Sequence, residues 1–441
     1  MNRAPRSRDP LSLRSSSLRS GFLRNGCARF LRARMWLCAV VLAALFTSTV
    51  LIPSCALPTE AAAAERGDLL DATLRVLRDR IPDLRLKRSD VRDLRTRFDR
   101  AATSGEQREL VRHFLNDIPT SHLALFSTYA KTVFERELSG VASPTLGLSL
   151  TQIEGEWIVG GVMRGTPAEE AGIVRGDRLL AIDGIAPGKS PRLDPRHDDR
   201  APPHEPSHIV RVRAGERVGV QVARGGDGVA SAIAVLLPVV RASSLESDRL
   251  GVVRREIDGV TVGVIPFTFI YSRETSRHFM AALSGPLLDA DALVLDLRGR
   301  GGSGIAMLAL LSMLENETFV GGLPIVAAID QRTRSAKEVL ARSIRERSIG
   351  TLVGEKTPGA VRPSHWVELT EETWLLCPHG PIGTDPRGLE GIGVEPDLWV
   401  VDPFPDGDGA DPILEASIAE AVRQVEKLRS LTSETGPVRS P

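Results

Sequence analysis

Residues 290–297 read Ala-Asp-Ala-Leu-Val-Leu-Asp-Leu, a run that is apolar on both faces of an extended strand. Such a strand needs cover on both sides, the condition of a central strand in a sheet flanked by helices. Ile325–Ile329 has the same character, and Val260–Phe267 is a third strand-like run. Helical patterns alternate with them, at Ile305–Leu314 and at the amphipathic Ala336–Ile344. A last helix is predicted over 413–429, with Asp411 as N-cap and Pro412 in its first turn. Residues 245–430 therefore predict an α/β core.

Two regions of different texture precede it. In 66–142, Leu69, Leu70, Leu74, Val76 and Leu77, then Leu110, Val111, Phe114 and Leu115, recur at helical spacing. In 143–242, short Val/Ile/Leu runs punctuated by glycine predict a β-rich module. Pro187, Pro191, Pro195, Pro202, Pro203 and Pro206 predict a loop insert at 185–207. His197, His204 and His208 beside Asp198, Asp199 and Glu205 are metal-ligand types, but Pro206 blocks the helix that would align His204 with His208. A solvated loop without metal is the expectation. Asp406-Gly407-Asp408-Gly409 lacks the spaced ligands and terminal Glu of a calcium loop and reads as a turn. Residues 431–441 read as a flexible tail. The class is α+β and multidomain.

Basic and acidic residues number 56 each, so no global field points to a nucleic-acid partner. The balance fails locally, with nine arginines and one acid, Asp9, in the first 34 residues. The apolar run Met35–Ile52 and then Ala61–Ala64 follow. Residues 1–64 thus read as a signal peptide or a retained membrane anchor. Cys55 also suggests a lipoprotein site, which Pro53 fits badly. Everything beyond is expected outside the cytoplasm, in the periplasm or cell envelope. Cleavage near Ala64 would leave Cys377 alone, as a core residue of a strand-like run, with no intramolecular disulfide.

Leu146-Gly147-Leu148-Ser149-Leu150 is followed by Thr166-Pro-Ala-Glu-Glu-Ala-Gly-Ile173 and Arg175-Gly-Asp-Arg-Leu-Leu-Ala-Ile-Asp-Gly184. In order and spacing these blocks resemble a PDZ domain of the bacterial, peptidase-associated kind. The resemblance implies that Leu146, Gly147, Leu148 and Ser149 capture a polypeptide's terminal carboxylate through backbone N–H groups. The following strand edge would then pair with the peptide.

Asp296-Leu297-Arg298-Gly299-Arg300-Gly301-Gly302 leaves one buried strand and enters a helix, a turn that can aim N–H groups at negative charge. It has neither the Gly-Lys-Ser/Thr of a phosphate loop nor a dinucleotide fingerprint. Ser335-Ala336-Lys337-Glu338 opens the helix after the next strand. Alone, Ser335 and Glu338 make a capping box. A serine in the positive potential of a helix N-terminus, next to the Ala336 N–H, also suits a nucleophile.

With Thr351–Ala360 and Gly391–Asp397, these blocks resemble in order those of the C-terminal-processing (tail-specific) serine peptidases, in their tricorn-core and retinoid-binding-protein-like branch. The resemblance implies a crotonase/ClpP-like α/β core, Ser335 as nucleophile, an oxyanion hole at Gly301, Gly302 and Ala336, and no cofactor. Arg300 stands where the family has Asn. Counted without gaps from Ser335, the general-base lysine falls on Ala360 and its supporting glutamine on Ser364; a methyl group cannot take a proton. The histidine of the tricorn branch would lie along Val262–Phe267, which contains none. His365 is the candidate base, neutral at pH 7 when unperturbed. Lys337 lies two helical residues from Ser335, about 200° around the axis. The function expected is an exported serine endopeptidase that captures polypeptide C-termini and cleaves peptide bonds. The alternative is an inactive relative that binds peptides as a scaffold.

Overall fold

The computed structural model describes residues 68–196, 207–224, 231–380, 388–405 and 410–434. The leader at 1–64, most of the histidine-containing insert (197–206), the turn at 406–409 and residues 435–441 lie outside the described residues.

Three helices come first, α1 (Leu69–Arg80), α2 (Arg88–Arg100) and α3 (Ser104–Asn116). Asp68 caps α1 by accepting from the Asp71 N–H at 2.9 Å, and Thr103 caps α3 by accepting from Glu106 at 3.1 Å. They bury Leu70, Leu77, Leu94, Phe98, Val111 and Leu115. The region expected to be helical then departs from expectation. Ala124–Ser127 is a strand, β1, before the helix α4 (Thr128–Leu138). Its antiparallel partner is about 250 residues away, Ala124 facing Leu376. Local periodicity cannot reveal so distant a partner.

The β-rich module contains β2 (Ser143–Thr145), β3 (Leu148–Ile153), β4 (Glu156–Val162), the short helix α5 (Pro167–Glu170), β5 (Arg178–Ile182), β6 (Leu193–Arg196), β7 (Ser207–Val210), β8 (Arg217–Arg224), β9 (Ser231–Pro238) and β10 (Val240–Ala242). Seven of these strands form one sheet in the order β6-β7-β3-β4-β5-β8-β9, while β2 and β10 pair where the chain enters and leaves. The insert is less irregular than its prolines suggest, with a 3-10 turn at Pro187–Lys189 and a strand at β6. Pro195 falls on β6, the outer strand of the sheet, where proline is commonly accommodated.

The core comprises α6 (Ser244–Leu250), β11 (Val253–Ile257), β12 (Val260–Pro266), α7 (Thr275–Ser284), β13 (Ala292–Asp296), α8 (Gly304–Glu315), α9 (Glu317–Val320), β14 (Ile325–Ile329), α10 (Ala336–Glu346), β15 (Thr351–Gly354), β16 (Ser364–Thr370), β17 (Thr373–Pro378), β18 (Leu398–Trp399) and α11 (Pro412–Glu434). Its sheet runs β11-β12-β13-β14-β15-β18, parallel from β12 onward. The double-faced strands are explained directly. Val262, Val294, Val326 and Val353 face Ile418, Ala421 and Val425 of α11. Leu293, Leu295, Ala327 and Ile329 face Phe279, Leu310, Leu340 and Ile344 on the other side. Each fully buried aliphatic side chain contributes about 1.5–3 kcal/mol. The terminal helix continues to Glu434, past the point where the tail was expected to begin. β16 and β17 leave this sheet and join β1 in a three-stranded sheet, on which α1–α3 pack. Cys377 is buried there as expected, its thiol pushed up to about 12 by burial.

Register places the carboxyl ends of β12, β13, β14 and β15 side by side, Pro266 beside Asp296, Asp296 beside Ala328 and Ile329 beside Gly354. In such sheets this is the end that receives ligands.

Candidate active site

Beyond β14 the chain turns sharply. Buried Asp330 accepts from the backbone N–H of Arg332 at 2.9 Å and from its Nε at 3.0 Å. Burial works to raise the Asp330 carboxyl, yet Arg332 and Arg298 outweigh it and hold the group below its ordinary range. The turn delivers Ser335 to the N-terminus of α10 with φ 55° and ψ −122°. A non-glycine residue there costs about 1–3 kcal/mol and persists only where its surroundings over-determine it. They do. The Ser335 N–H donates to the Ala360 carbonyl at 2.9 Å and to Glu338 Oε2 at 3.1 Å. Buried Glu338 also accepts from Thr357 Oγ1 at 2.7 Å and from the N–H groups of Gly359 at 2.6 Å and Ala360 at 2.7 Å. The capping glutamate therefore does more than cap. It clamps the 357–360 segment onto the serine turn. A strained serine between a strand and a helix is the geometry of a nucleophile elbow.

The Gly-rich turn rests directly on that serine. A Cβ on Gly301 would lie 2.6 Å from Ser335 Cβ, and one on Gly302 (φ 142°) would lie 2.3 Å from the Ile270 carbonyl oxygen. Among the described residues, the N–H groups of Gly301, Gly302 and Ala336 donate to no other group of the fold. The turn is held by its carbonyls and side chains instead. Ile270 N–H donates to Gly301 O at 3.0 Å, and Arg300 N–H to Thr268 O at 3.1 Å. Arg298 forks between Asp296 (2.8 Å) and Asp411 (2.6 Å), and Asp411 caps α11 through the Leu414 N–H at 3.0 Å. Asp411 was foreseen as the cap but not as a partner of the Gly-rich turn. No local signal joins residues 298 and 411.

The position expected to lack the base does adjoin the serine. Ala360 is buried and its carbonyl takes the Ser335 N–H. His365 is five residues further, up to about 17 Å of extended chain. It stands on β16 opposite Cys377, on the same face as Val367 and Leu369, which pack toward α1–α3. Its Nε2 is buried without a hydrogen-bond partner among the described residues. Burial, then Arg80 and His379, lower its pKa, so the ring is neutral near pH 7. The site therefore gathers Ser335, Gly301, Gly302, Ala336 and Ala360, while His365 lies toward the N-terminal helices.

Sequence reasoning passed over Lys337. It is fully buried, and its Nζ donates to the carbonyls of Phe267, Thr268 (2.9 Å) and Arg298 (3.0 Å). Asp248 lies in the same buried cluster, accepting from the Thr268 N–H (2.8 Å) and Oγ1 (2.7 Å) and from the Tyr271 hydroxyl.

In the β-rich module, Gly147 has φ 83°, and a Cβ there would meet Thr166 Oγ1 at 2.1 Å. Its N–H donates to Thr145 Oγ1 at 3.0 Å. The edge of β3 expected to receive a peptide is partly taken. Leu150 pairs with His208 and Thr151 with Ser207 of β7, and among the described residues Leu148 and Ser149 have no partner on that edge. Strand β6 lies in the segment expected as loop and pairs antiparallel with β7, and Trp157 packs on His208 with ring centres 4.5 Å apart. A cleft of ≈ 780 Å³ runs from Leu148 and Ser149 to Thr268, Gly299, Arg300 and Arg334. The module meets the core where Arg332 donates to Gly160 O at 3.1 Å and Arg175 pairs with Asp402 at 2.8 Å.

Residues 158–191 match the family model of a PDZ domain, and residues 312–400 match that of peptidase family S41. A carboxyl-terminal-processing protease of Synechocystis sp. is 25% identical over 290 residues, 61% of this chain and 64% of that protein. A carboxyl-terminal-processing protease of Picosynechococcus sp. is 28% identical over 218 residues, 44% of this chain and 48% of that protein. The chain thus spans less than two thirds of the length of the curated relatives it matches. The solved photosystem II D1 C-terminal processing protease aligns with 78% of this chain and 98% of its own, at TM-score 0.48 and 18% identity. A PDZ segment followed by a segment of peptidase family S41 type is the order its motifs implied.

Proposed function

We propose that the protein is a serine endopeptidase that receives polypeptides by their C-termini. One observation carries this reading: a strained Ser335 packs against Gly301, and the residues that flank them, Arg334, Gly299 and Arg300, line a cleft that also reaches the PDZ loop at Leu148 and Ser149. A terminal carboxylate sits at Leu146, Gly147, Leu148 and Ser149, and the upstream chain crosses the cleft. Ser335 Oγ attacks a carbonyl carbon, and the N–H groups of Gly301, Gly302 and Ala336 receive the oxyanion. The proton goes to a base, for which His365 is the candidate; its neutral ring and unpartnered Nε2 suit the role, and its place on β16 requires a shift of the 361–365 segment. With a methyl group at Ala360, turnover is slow. Labelling by a fluorophosphonate probe, lost in Ser335→Ala, tests the nucleophile. His365→Ala abolishes activity if that ring is the base.

A second reading, a peptide-binding relative without turnover, is favoured by Ala360 alone. Peptide binding without labelling would select it. The domain limits proposed are 66–142, 143–242 and 245–430. The arginine-rich leader and Met35–Ile52 support export to the periplasm or cell envelope, by a cleaved signal or a retained anchor. No helix among the described residues is long and apolar enough to cross a membrane. An active C-terminal alkaline phosphatase fusion is expected, and an inactive one would remove the export claim.

A further inference from the structure

A lysine ammonium has three N–H donors and no acceptor. The Lys337 Nζ meets three carbonyl oxygens, of Phe267, Thr268 and Arg298. A neutral amine would turn its lone pair toward one of them, so the niche selects the charged form. The three carbonyls belong to the segment just after β12 and to the Gly-rich turn, while Lys337 itself belongs to the helix that Ser335 opens. One buried cation thus ties together three of the segments that build the site. It also lies close under the turn, since a Cβ on Gly299 would be 3.8 Å from Nζ.

We propose that Lys337 is a positioning residue of the peptidase site: its ammonium holds the Gly299–Gly302 turn where the Gly301 and Gly302 N–H groups meet the oxyanion, and adds positive charge behind them. This rests on the reading of Ser335 as nucleophile. It gives Lys337 a duty distinct from that of a base, since its Nζ protons are committed to carbonyls.

The groups facing the amine make the role pH-sensitive. Asp248 of α6, hydrogen-bonded to Thr268 and Tyr271, Asp296 of β13 and Asp330 after β14 favour the ammonium, and Arg332 opposes it. Burial outweighs them and pushes the amine down to about 7, while burial pushes the Asp248 carboxyl up to about 7. The required form is the protonated amine. The contribution is therefore present below that pKa and lost as pH rises through it, far below the ordinary lysine value of about 10.4.

The test follows the labelling rate of Ser335 by a fluorophosphonate probe across pH 5–10 in the full chain. Wild type should show a falling alkaline limb. Lys337→Met should label at least ~10-fold more slowly, a conservative fraction of what losing an oxyanion donor costs, and should lack that limb. Asp248→Asn leaves the amine in place without a favourable charge and should move the limb to lower pH; it decides the matter if Lys337→Met fails to fold. Unchanged rate and profile in Lys337→Met, or an unmoved limb in Asp248→Asn, would overturn the proposal while leaving the nucleophile intact. No labelling of wild type at any pH would overturn the nucleophile reading and this proposal together.

Discussion

The PDZ domain and the peptidase core each offer a glycine turn to the same cleft, and the two are built for different loads. At 146–149 the central N–H, that of Gly147, is already given to Thr145, and the strand beyond is paired with β7 at Leu150 and Thr151. At 299–302 the N–H groups of Gly301 and Gly302 donate to no group among the described residues, while Arg298 and Lys337 hold the turn from behind. On the proposed reading, the PDZ turn receives a short peptide terminus and the core turn receives an oxyanion.

The sharpest way to break that contrast is Gly301→Ala. The new methyl group would stand 2.6 Å from Ser335 Cβ and 2.9 Å from the Arg334 carbonyl oxygen, with no flexible neighbour to yield. Probe labelling should fall about 10²–10³-fold, the cost of a lost oxyanion donor, with the fold retained by circular dichroism. Gly147→Ala should do the reverse. It should weaken C-terminal peptide binding about 10-fold by calorimetry, through strain at φ 83° and the clash with Thr166, and leave labelling by the small probe unchanged. If both variants changed binding and labelling alike, the two turns would not be separable.

A smaller effect sharpens the reading of the PDZ turn. Peptides with a free apolar C-terminus should bind several-fold better than their amides. With β7 over Leu150 and Thr151, residues upstream of the last two should add little affinity. A steady gain with peptide length would mean that β7 leaves the edge. The smallest effect is expected from Asp411→Ala, which removes the α11 cap and one of the two partners of Arg298. The lost cap predicts about 0.5–2 kcal/mol of destabilisation in urea melts.

What the sequence made legible was local. Core strands β12, β13 and β14 could be read because their two-faced apolarity is written in consecutive residues. Ser335, Gly301 and Gly302 could be read because each stands in a short ordered motif. The strand β1 could not, since its partner β17 is far along the chain, and a four-residue apolar run suits a helix equally well. Neither could β6, which contains Pro195 and has Pro191 and Pro202 on either side of it. Angular spacing on a helix turned Lys337 away from Ser335 but could not show that three carbonyls await it. Proximity in sequence suggested His365, whereas the pleat of β16 sets it with Val367 and Leu369 toward the N-terminal helices.

The central claim is that Ser335 remains a working nucleophile although Ala360 stands where a lysine is expected. Its most direct test is labelling of the purified protein by a fluorophosphonate probe, with the adduct mapped by mass spectrometry. Slow labelling confined to Ser335, absent in Ser335→Ala and faster in Ala360→Lys, is the predicted result. An unlabelled Ser335 in a folded protein that still binds C-terminal peptides would contradict it.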